Sequence, residues 1–431
     1  MSAITSWLTR ALMRGVSWRL ARVAAAPVGG AREPLPLAVS TARGILVVAL
    51  AEAGDMVLLS PFLRELRGLA PDARITLVTL PATAILFEHS GVVDRIATFA
   101  GEAPRLLRPL LLPRRARRFA RRELRGGFDV AIVPRWDTDH RLATAVALYS
   151  GAPRRVGFSE QSTPRRRTLN AGFDTLLTDV VESGGAVHEV ERHLTMLRAL
   201  GSERPSGRLA LRLSDGDRRR AAELLRPVSG EHVFVALGVG AAHPKRRWPA
   251  ARFAEVGRAL QRELSAHVLV VGGPGDIAEQ DAILRELAPG ATGLAGRLTL
   301  RESTAALGRC ALFVGNDSAP LHLAAAAGVP CVEISCHPAT GDPLHNNAPE
   351  RFGPWGVPSA VLRPAEAVPP CDDGCRASRP HCILEVASDE VIRAARALLT
   401  TSGERTTDAI ASPGSPSRED FTIGDGERSH A

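Results

Sequence analysis

Three segments of this chain combine charge, glycine and imidazole in patterns suited to phosphate binding or proton transfer. In VALGVGAAHPKRRWP an apolar run gives way to glycines and then to Lys245, Arg246 and Arg247. Cations beyond a strand end, with backbone amides freed by glycine, suit a diphosphate. A basic surface loop is the plain alternative, but Lys245 is the sole lysine of the chain, which favours function. In VGNDSAPLHLAAAAG, residues 314–328, a strand ends at Gly315 and Asn316, Asp317 and Ser318 are placed to cap a helix. His322 sits one turn in. Amides at such a start, aided by the helix dipole, bind phosphate oxygens. The third segment is Gly54-Asp55, directly after an apolar strand. A carboxylate at that edge can remove a proton from an incoming hydroxyl, although Asp is also an ordinary helix cap.

Two patterns that suggest other chemistry are weaker. VVGGPGD at 270–276 lacks the full dinucleotide fingerprint, and the histidines of HEVERH stand too far apart for a zinc-protease helix. Six cysteines occur. Cys310, Cys331 and Cys336 lie in or beside apolar runs and read as small core residues. Cys371, Cys375 and Cys382, with His381 adjacent, form a C-x3-C-x6-C cluster that matches no standard structural zinc spacing; its metal binding stays open.

The elements that must position these residues alternate regularly. GILVVAL (44–50) is a continuous β-branched-rich run of the kind found in buried parallel strands. It is followed by the helix pattern VLLSPFLRELRGLA, the strand ITLVTL, the short strand DRIATF, the strand FDVAIVP (128–134) and the helix RLATAVALYSGA. After HEVERHLTMLRALG (188–201) a second cycle runs through HVFVALGVG, HVLVVGG, ALFVGND and PCVEIS, each followed by a turn or helix. Twofold strand–helix alternation predicts an α/β protein of two Rossmann-like doubly wound parallel sheets facing a cleft, with ligands beyond the carboxyl ends of strands. The expected organisation is a basic extension (1–40) that could be amphipathic, an N-terminal Rossmann-like domain (41–205) and a C-terminal Rossmann-like domain (206–388). A helix (389–400) and a disordered Ser/Thr/Gly-rich tail (401–431) follow.

At 431 residues, 45% apolar but only 4% aromatic, the chain is long enough for two cores built mainly of Ala, Leu and Val. No run reaches the ~18 apolar residues of a membrane span, so a soluble protein is expected. The formal charge of +8 comes almost wholly from arginine. Two clusters stand out. Residues 1–32 carry five arginines and no acid, interleaved with Trp7, Leu8, Leu12, Val16 and Trp18; residues 105–127 carry nine arginines against Glu123. The first suits an anionic membrane surface or is a disordered extension; the second suits such a surface or a phosphorylated acceptor, or is a solvated helix face. No nucleic-acid module accompanies the charge, and no nucleic-acid partner is expected.

GDMVLLSPFLRELRGLAPDARITLVT, SGAPRRVGF, HEVERHLTMLRALG, HPKRRWPAARFAEVGRAL, GNDSAPLHLAAAAGVP and ERFGPWG, six blocks spanning about 44–400, together resemble glycosyltransferase family 9. This is the ADP-heptose:lipopolysaccharide heptosyltransferase family. The resemblance implies a GT-B fold and an inverting, metal-independent transfer with no cofactor. The donor would be a nucleotide-diphosphate heptose and the acceptor a lipid-anchored glycan at the cytoplasmic side of the inner membrane. Carried over by position, Asp55 matches the general base, and Asp317, Ser318, Ala319 and His322 match the D-[ST]-[GA]-x-x-H segment that binds the donor diphosphate. Arg246 stands where the family usually has lysine, beside Lys245, and the first strand lacks the basic residue common before the Gly-Asp turn. Two other functions fit the same residues: use of another nucleotide sugar for capsule or O-antigen synthesis, or nucleotide-sugar binding with little catalysis.

Overall fold

A computed structural model describes residues 13–16, 20, 35–102, 108–185, 187–226, 233–287, 289–369, 371 and 378–411, with backbone alone at 108–110 and 401–411. The first half contributes strands β1 (Gly44–Val48), β2 (Arg74–Thr79), β3 (Arg95–Thr98), β4 (Val130–Val133), β5 (Arg154–Phe158) and β6 (Asp179–Val181). Its helices are α1 (Ala53–Leu58), α2 (Ser60–Leu69), α3 (Arg108–Glu123), α4 (Ala143–Tyr149), α5 (Pro164–Leu169) and α6 (Glu189–Ala199). The second half contributes β7 (Phe234–Gly238), β8 (His267–Val271), β9 (Ala291–Gly293), β10 (Cys310–Asn316), β11 (Cys331–Ile334) and β12 (Ser359–Leu362). Its helices are α7 (Asp215–Leu225), α8 (Ala250–Leu264), α9 (Ile277–Leu287), α10 (Leu300–Leu307), α11 (Ala319–Ala326), α12 (Pro349–Phe352) and α13 (Ser388–Ala411).

Both halves are six-stranded sheets, ordered β3-β2-β1-β4-β5-β6 and β12-β11-β10-β7-β8-β9, and every pairing is parallel. Read from β7, the second order repeats the first. Strand order therefore reverses between β1 and β4, and again between β7 and β10. These are the two points where such sheets leave a crevice beyond their strand ends. The buried, β-branched strands follow from burial on both faces: every residue of β1, β4, β8 and β11 is buried.

Three local details depart from the sequence pattern. The helix expected to run unbroken after β1 is divided at Leu59, because Pro61 opens α2 and cannot donate into a continuing helix. The last helix runs to Ala411, past the expected end at 400, since Gly403 without a following proline does not stop a helix. In the N-terminal extension, Leu20 is buried in the core formed by Leu46, Val48 and Leu124, with Met13 and Val16 packed on it. Part of the extension's apolar surface thus covers the N-terminal sheet. Trp7, Leu8, Leu12 and Trp18 lie outside the described residues, as does 412–431.

Candidate functional site

At the first switch point Asp55 is the third residue of α1. It does not cap the helix: the N-cap position is Glu52, with no side-chain cap bond. Asp55 Oδ2 instead accepts from Arg135 Nη1 at 2.9 Å, so the carboxylate is aimed by a cation from the end of β4. Burial works against the Arg135 charge, but Asp55, Asp137 and Glu189 outweigh it and raise the guanidinium above its ordinary value. The loop carrying Arg135 is held from behind by buried Arg166, which donates to the carbonyls of Arg135, Asp137 and Phe158. The pocket around Asp55 includes Arg135, Thr138, His140, Arg141, Glu189 and His193 among its lining. Burial lowers His140, and Arg135 and Arg141 add to the effect, so it is neutral near pH 7.

At the second switch point the three consecutive cations diverge. Arg247 pairs with Asp276 and Glu279, both at 2.9 Å, and serves the loop. Lys245 lies near His345, whose pKa it helps to lower. Arg246 turns to Asp317: its Nη2 lies 3.2 Å from Oδ2 and also meets the Asp317 carbonyl. Burial raises the Asp317 carboxyl above its usual range despite Arg246. Beneath it, Glu333 on β11 is fully enclosed; burial, then the Asp317 charge, push its carboxyl well above the usual range.

The residues expected to cap α11 do something else. Ser318 occupies the N-cap position but makes no cap bond; its hydroxyl donates to the Asn316 carbonyl at 3.1 Å. Asn316 is a clamp, accepting from the Trp248 amide at 3.0 Å and donating to the Val239 carbonyl at 2.8 Å. It ties the cationic loop to β7 and leaves the start of α11, including Ala319, without a side-chain cap. His322 is buried, and its Nδ1 has no hydrogen-bond partner among the described residues. Burial lowers its pKa to about 4, with Asp55 pulling the other way.

The two switch points meet. A Cβ on Gly54 would lie 2.6 Å from His322 Cδ2, so α1 and α11 touch through a position with room only for hydrogen. Gly54 has no positive φ; its purpose is this close approach rather than the sharp turn expected from sequence. Asp55, Arg246, Asp317 and His322 are thereby brought around one cleft.

A second contact joins the halves. Arg351 in α12, 1% exposed, donates to Glu189 Oε1 through Nε at 2.9 Å and Nη2 at 2.7 Å, and lies 3.4 Å from Asp137 Oδ2. Burial opposes the Asp137 charge, yet Arg351 and Arg135 hold its pKa near 2. Arg192 stacks 3.3 Å over the Trp136 ring. Sequence reasoning missed Arg135, Asp137, Glu189 and Arg351. For Arg135 and Asp137 the available signal was the charged run PRWDTDH at a strand end, the same position that drew attention to Asp55.

Two facing Rossmann sheets, with charged groups at both switch points, place the protein in the GT-B class. A glycosyltransferase family 9 structure from Veillonella parvula superposes with TM-score 0.67 at 23% identity, over 85% of this chain and 99% of that one. The ADP-heptose lipopolysaccharide heptosyltransferase II of Escherichia coli gives 0.63 at 21%, over 84% and 99%. Lipopolysaccharide heptosyltransferase 3 of E. coli K12 is 25% identical over 289 residues, 65% of this chain and 79% of that protein. The family description "Glycosyltransferase family 9 (heptosyltransferase)" matches residues 117–362, and the chain belongs to that family. No described helix is long and apolar enough to cross a membrane.

Proposed function

We propose that the protein is an inverting heptosyltransferase that moves a heptose from an ADP-activated donor to a lipopolysaccharide-core or related cell-surface glycan, with no metal ion in the chemical step. The observation that carries this reading is the meeting of the switch points. Asp55 stands on one side of the Gly54–His322 contact, and the Arg246–Asp317 pair and the α11 start stand on the other.

In this mechanism the acceptor hydroxyl attacks the anomeric carbon from the face opposite the diphosphate, and Asp55 takes its proton. Arg135, 2.9 Å from Asp55 Oδ2, keeps that carboxylate directed. The anomeric C–O bond breaks and its electron pair leaves with the diphosphate. Lys245, Arg246, the amides at Ser318 and Ala319, and His322 stabilise the departing charge. His322, neutral at pH 7, offers a hydrogen bond rather than a proton. Closure of the two halves excludes water and limits donor hydrolysis.

The acceptor carries its glycan on a lipid, at the cytoplasmic face of the inner membrane. On α3, Leu112, Ala116 and Ala120 are buried while Arg114, Arg117, Arg118, Arg121 and Arg122 are exposed, and directly after it Leu124 is buried and Arg125 exposed. Such a face suits anionic lipid headgroups, at about 1 kcal/mol per arginine near the surface. The test is a panel of nucleotide sugars offered with a short soluble acceptor and no added Mg²⁺ or Mn²⁺. ADP-heptose should give transfer with inverted anomeric configuration. Nucleotide binding with neither transfer nor hydrolysis would identify a binding protein instead.

A further inference from the structure

The chain passes from β12, an edge strand of the second sheet, to α13 through residues 363–387. Cys371, His381 and Cys382 meet there, with their ligand atoms within 4.8 Å of one another. No disulfide joins Cys371 to Cys382, and Cys382 is 2% exposed. His381 Nδ1 lies 3.3 Å from Cys382 Sγ, and Nε2 lies 3.3 Å from the Pro369 carbonyl. A carbonyl only accepts, so Nε2 carries the proton and the lone pair of neutral imidazole is on Nδ1, facing the sulfur. A histidine that ligates a metal through one nitrogen and donates to a carbonyl through the other has this arrangement.

Tetrahedral bonds of about 2.3 Å to sulfur and 2.0 Å to nitrogen place the donors about 3.5–3.8 Å apart, so donors already within 4.8 Å of one another need move inward by no more than about an ångström. We infer that Cys371, His381 and Cys382 bind a thiolate-preferring divalent transition metal, zinc foremost, as a structural staple. Binding releases the two thiol protons to solvent, and two thiolates and one imidazole ligate the ion. Thiolate donors exclude Mg²⁺ and Ca²⁺, which take oxygen ligands. Cys375 lies outside the described residues, and the assignment does not rest on it.

The staple would have a mechanical role. Immediately after Cys382, Ile383 enters the core of the second sheet, fully buried. The Val386 carbonyl then accepts from Trp248 Nε1 at 3.0 Å and Arg252 Nη1 at 2.8 Å. Trp248 directly follows the Lys245–Arg247 loop, so a staple just before Ile383 would support the back of that loop. By contrast Cys310, whose thiol burial pushes up to about 12, and Cys331, raised further by burial, stay protonated and do not ligate.

The experiment is metal analysis of untagged full-length protein by inductively coupled plasma mass spectrometry, beside Cys371→Ser and His381→Gln. These two half-exposed positions are chosen because Cys382→Ser risks misfolding. Wild type should carry about one transition-metal equivalent per chain. Both variants should lose most of it while keeping a cooperative thermal transition at a lower midpoint. Cobalt substitution should give a thiolate-to-metal charge-transfer band in wild type that Cys371→Ser weakens. Metal-free wild type, metal content unchanged in both variants, or a Cys371–Cys382 disulfide found by thiol counting in denaturant would each overturn the assignment.

Discussion

Gly54→Ala probes the contact on which the cleft depends. In a helix, alanine improves on glycine by up to about 1 kcal/mol, so on an unopposed surface the change would stabilise. Here the new Cβ would stand 2.6 Å from His322 Cδ2 and 3.2 Å from Nε2. Carbon atoms in contact prefer about 3.5–4.0 Å, so α1 and α11 must part by close to an ångström. Overpacking of this kind costs about 1–3 kcal/mol, leaving a net loss of about 1 kcal/mol. Removing the ring should reverse the sign, so that in a His322→Ala background Gly54→Ala becomes neutral or stabilising. Equilibrium urea unfolding of the four proteins should therefore give a coupling energy of about 1–3 kcal/mol. Turnover of Gly54→Ala should fall by about 10²-fold, the scale of a 1 Å misplacement between reacting groups. If Gly54→Ala stabilises equally in both backgrounds, the halves do not meet there in solution and the reasoning fails.

Asp55→Asn should retain nucleotide affinity but lose about 10²-fold or more in turnover; near-normal turnover in a coupled ADP-release assay would remove Asp55 from the mechanism. Lys245→Ala with Arg246→Ala should weaken ADP binding by more than ~1.5 kcal/mol in calorimetry. It should also lower stability, because Asp317 loses its cation. His322 titrates near 4 when folded against about 6.5 unfolded, so the unfolded chain binds its proton first. Stability should fall as pH drops from 6.5 to 4, by on the order of 3 kcal/mol from this residue, and His322→Gln should flatten that slope. Charge reversal at Arg117, Arg118 and Arg121 should reduce binding to anionic vesicles at low salt, where screening is weak, and leave transfer to a soluble acceptor intact. Equal vesicle binding at every ionic strength would leave α3 an ordinary solvated face.

What the sequence made legible was local. The β-branched run of β1 and the turn after it located Asp55, and the same logic located the Lys245 loop and the segment from Asp317 to His322. Partners distant along the chain were not legible. Glu189 and Arg351 are 162 positions apart, and neither stands in a periodic pattern that announces a buried ion pair. Asn316 and Ser318 looked like caps because cap chemistry is local; the bonds Asn316 makes, to Trp248 and Val239, come from other elements. Gly54 read as a turn residue because nothing in a linear sequence shows a histidine 268 positions away pressed against it. The C-x3-C-x6-C spacing matched no standard zinc pattern because His381 and the backbone, rather than sequence spacing, close the cluster.

The burial of Arg351 also bears on how the protein moves. Its guanidinium is held by Glu189, Asp137, the Leu344 carbonyl and Asn346 at once. Pulling α12 away from α6 would strand buried charge at a cost of about 3–5 kcal/mol. The Gly54–His322 contact, by comparison, is only van der Waals touching. Rotation that keeps the Arg351 joint closed while α1 and α11 separate breaks the weak contact and spares the strong one. Arg351 is then the fulcrum of a jaw whose lips are Gly54 and His322. If the protein transfers a sugar as proposed, donor and acceptor would enter at the lips, and the rigid joint would return Asp55 to the same register after each turnover.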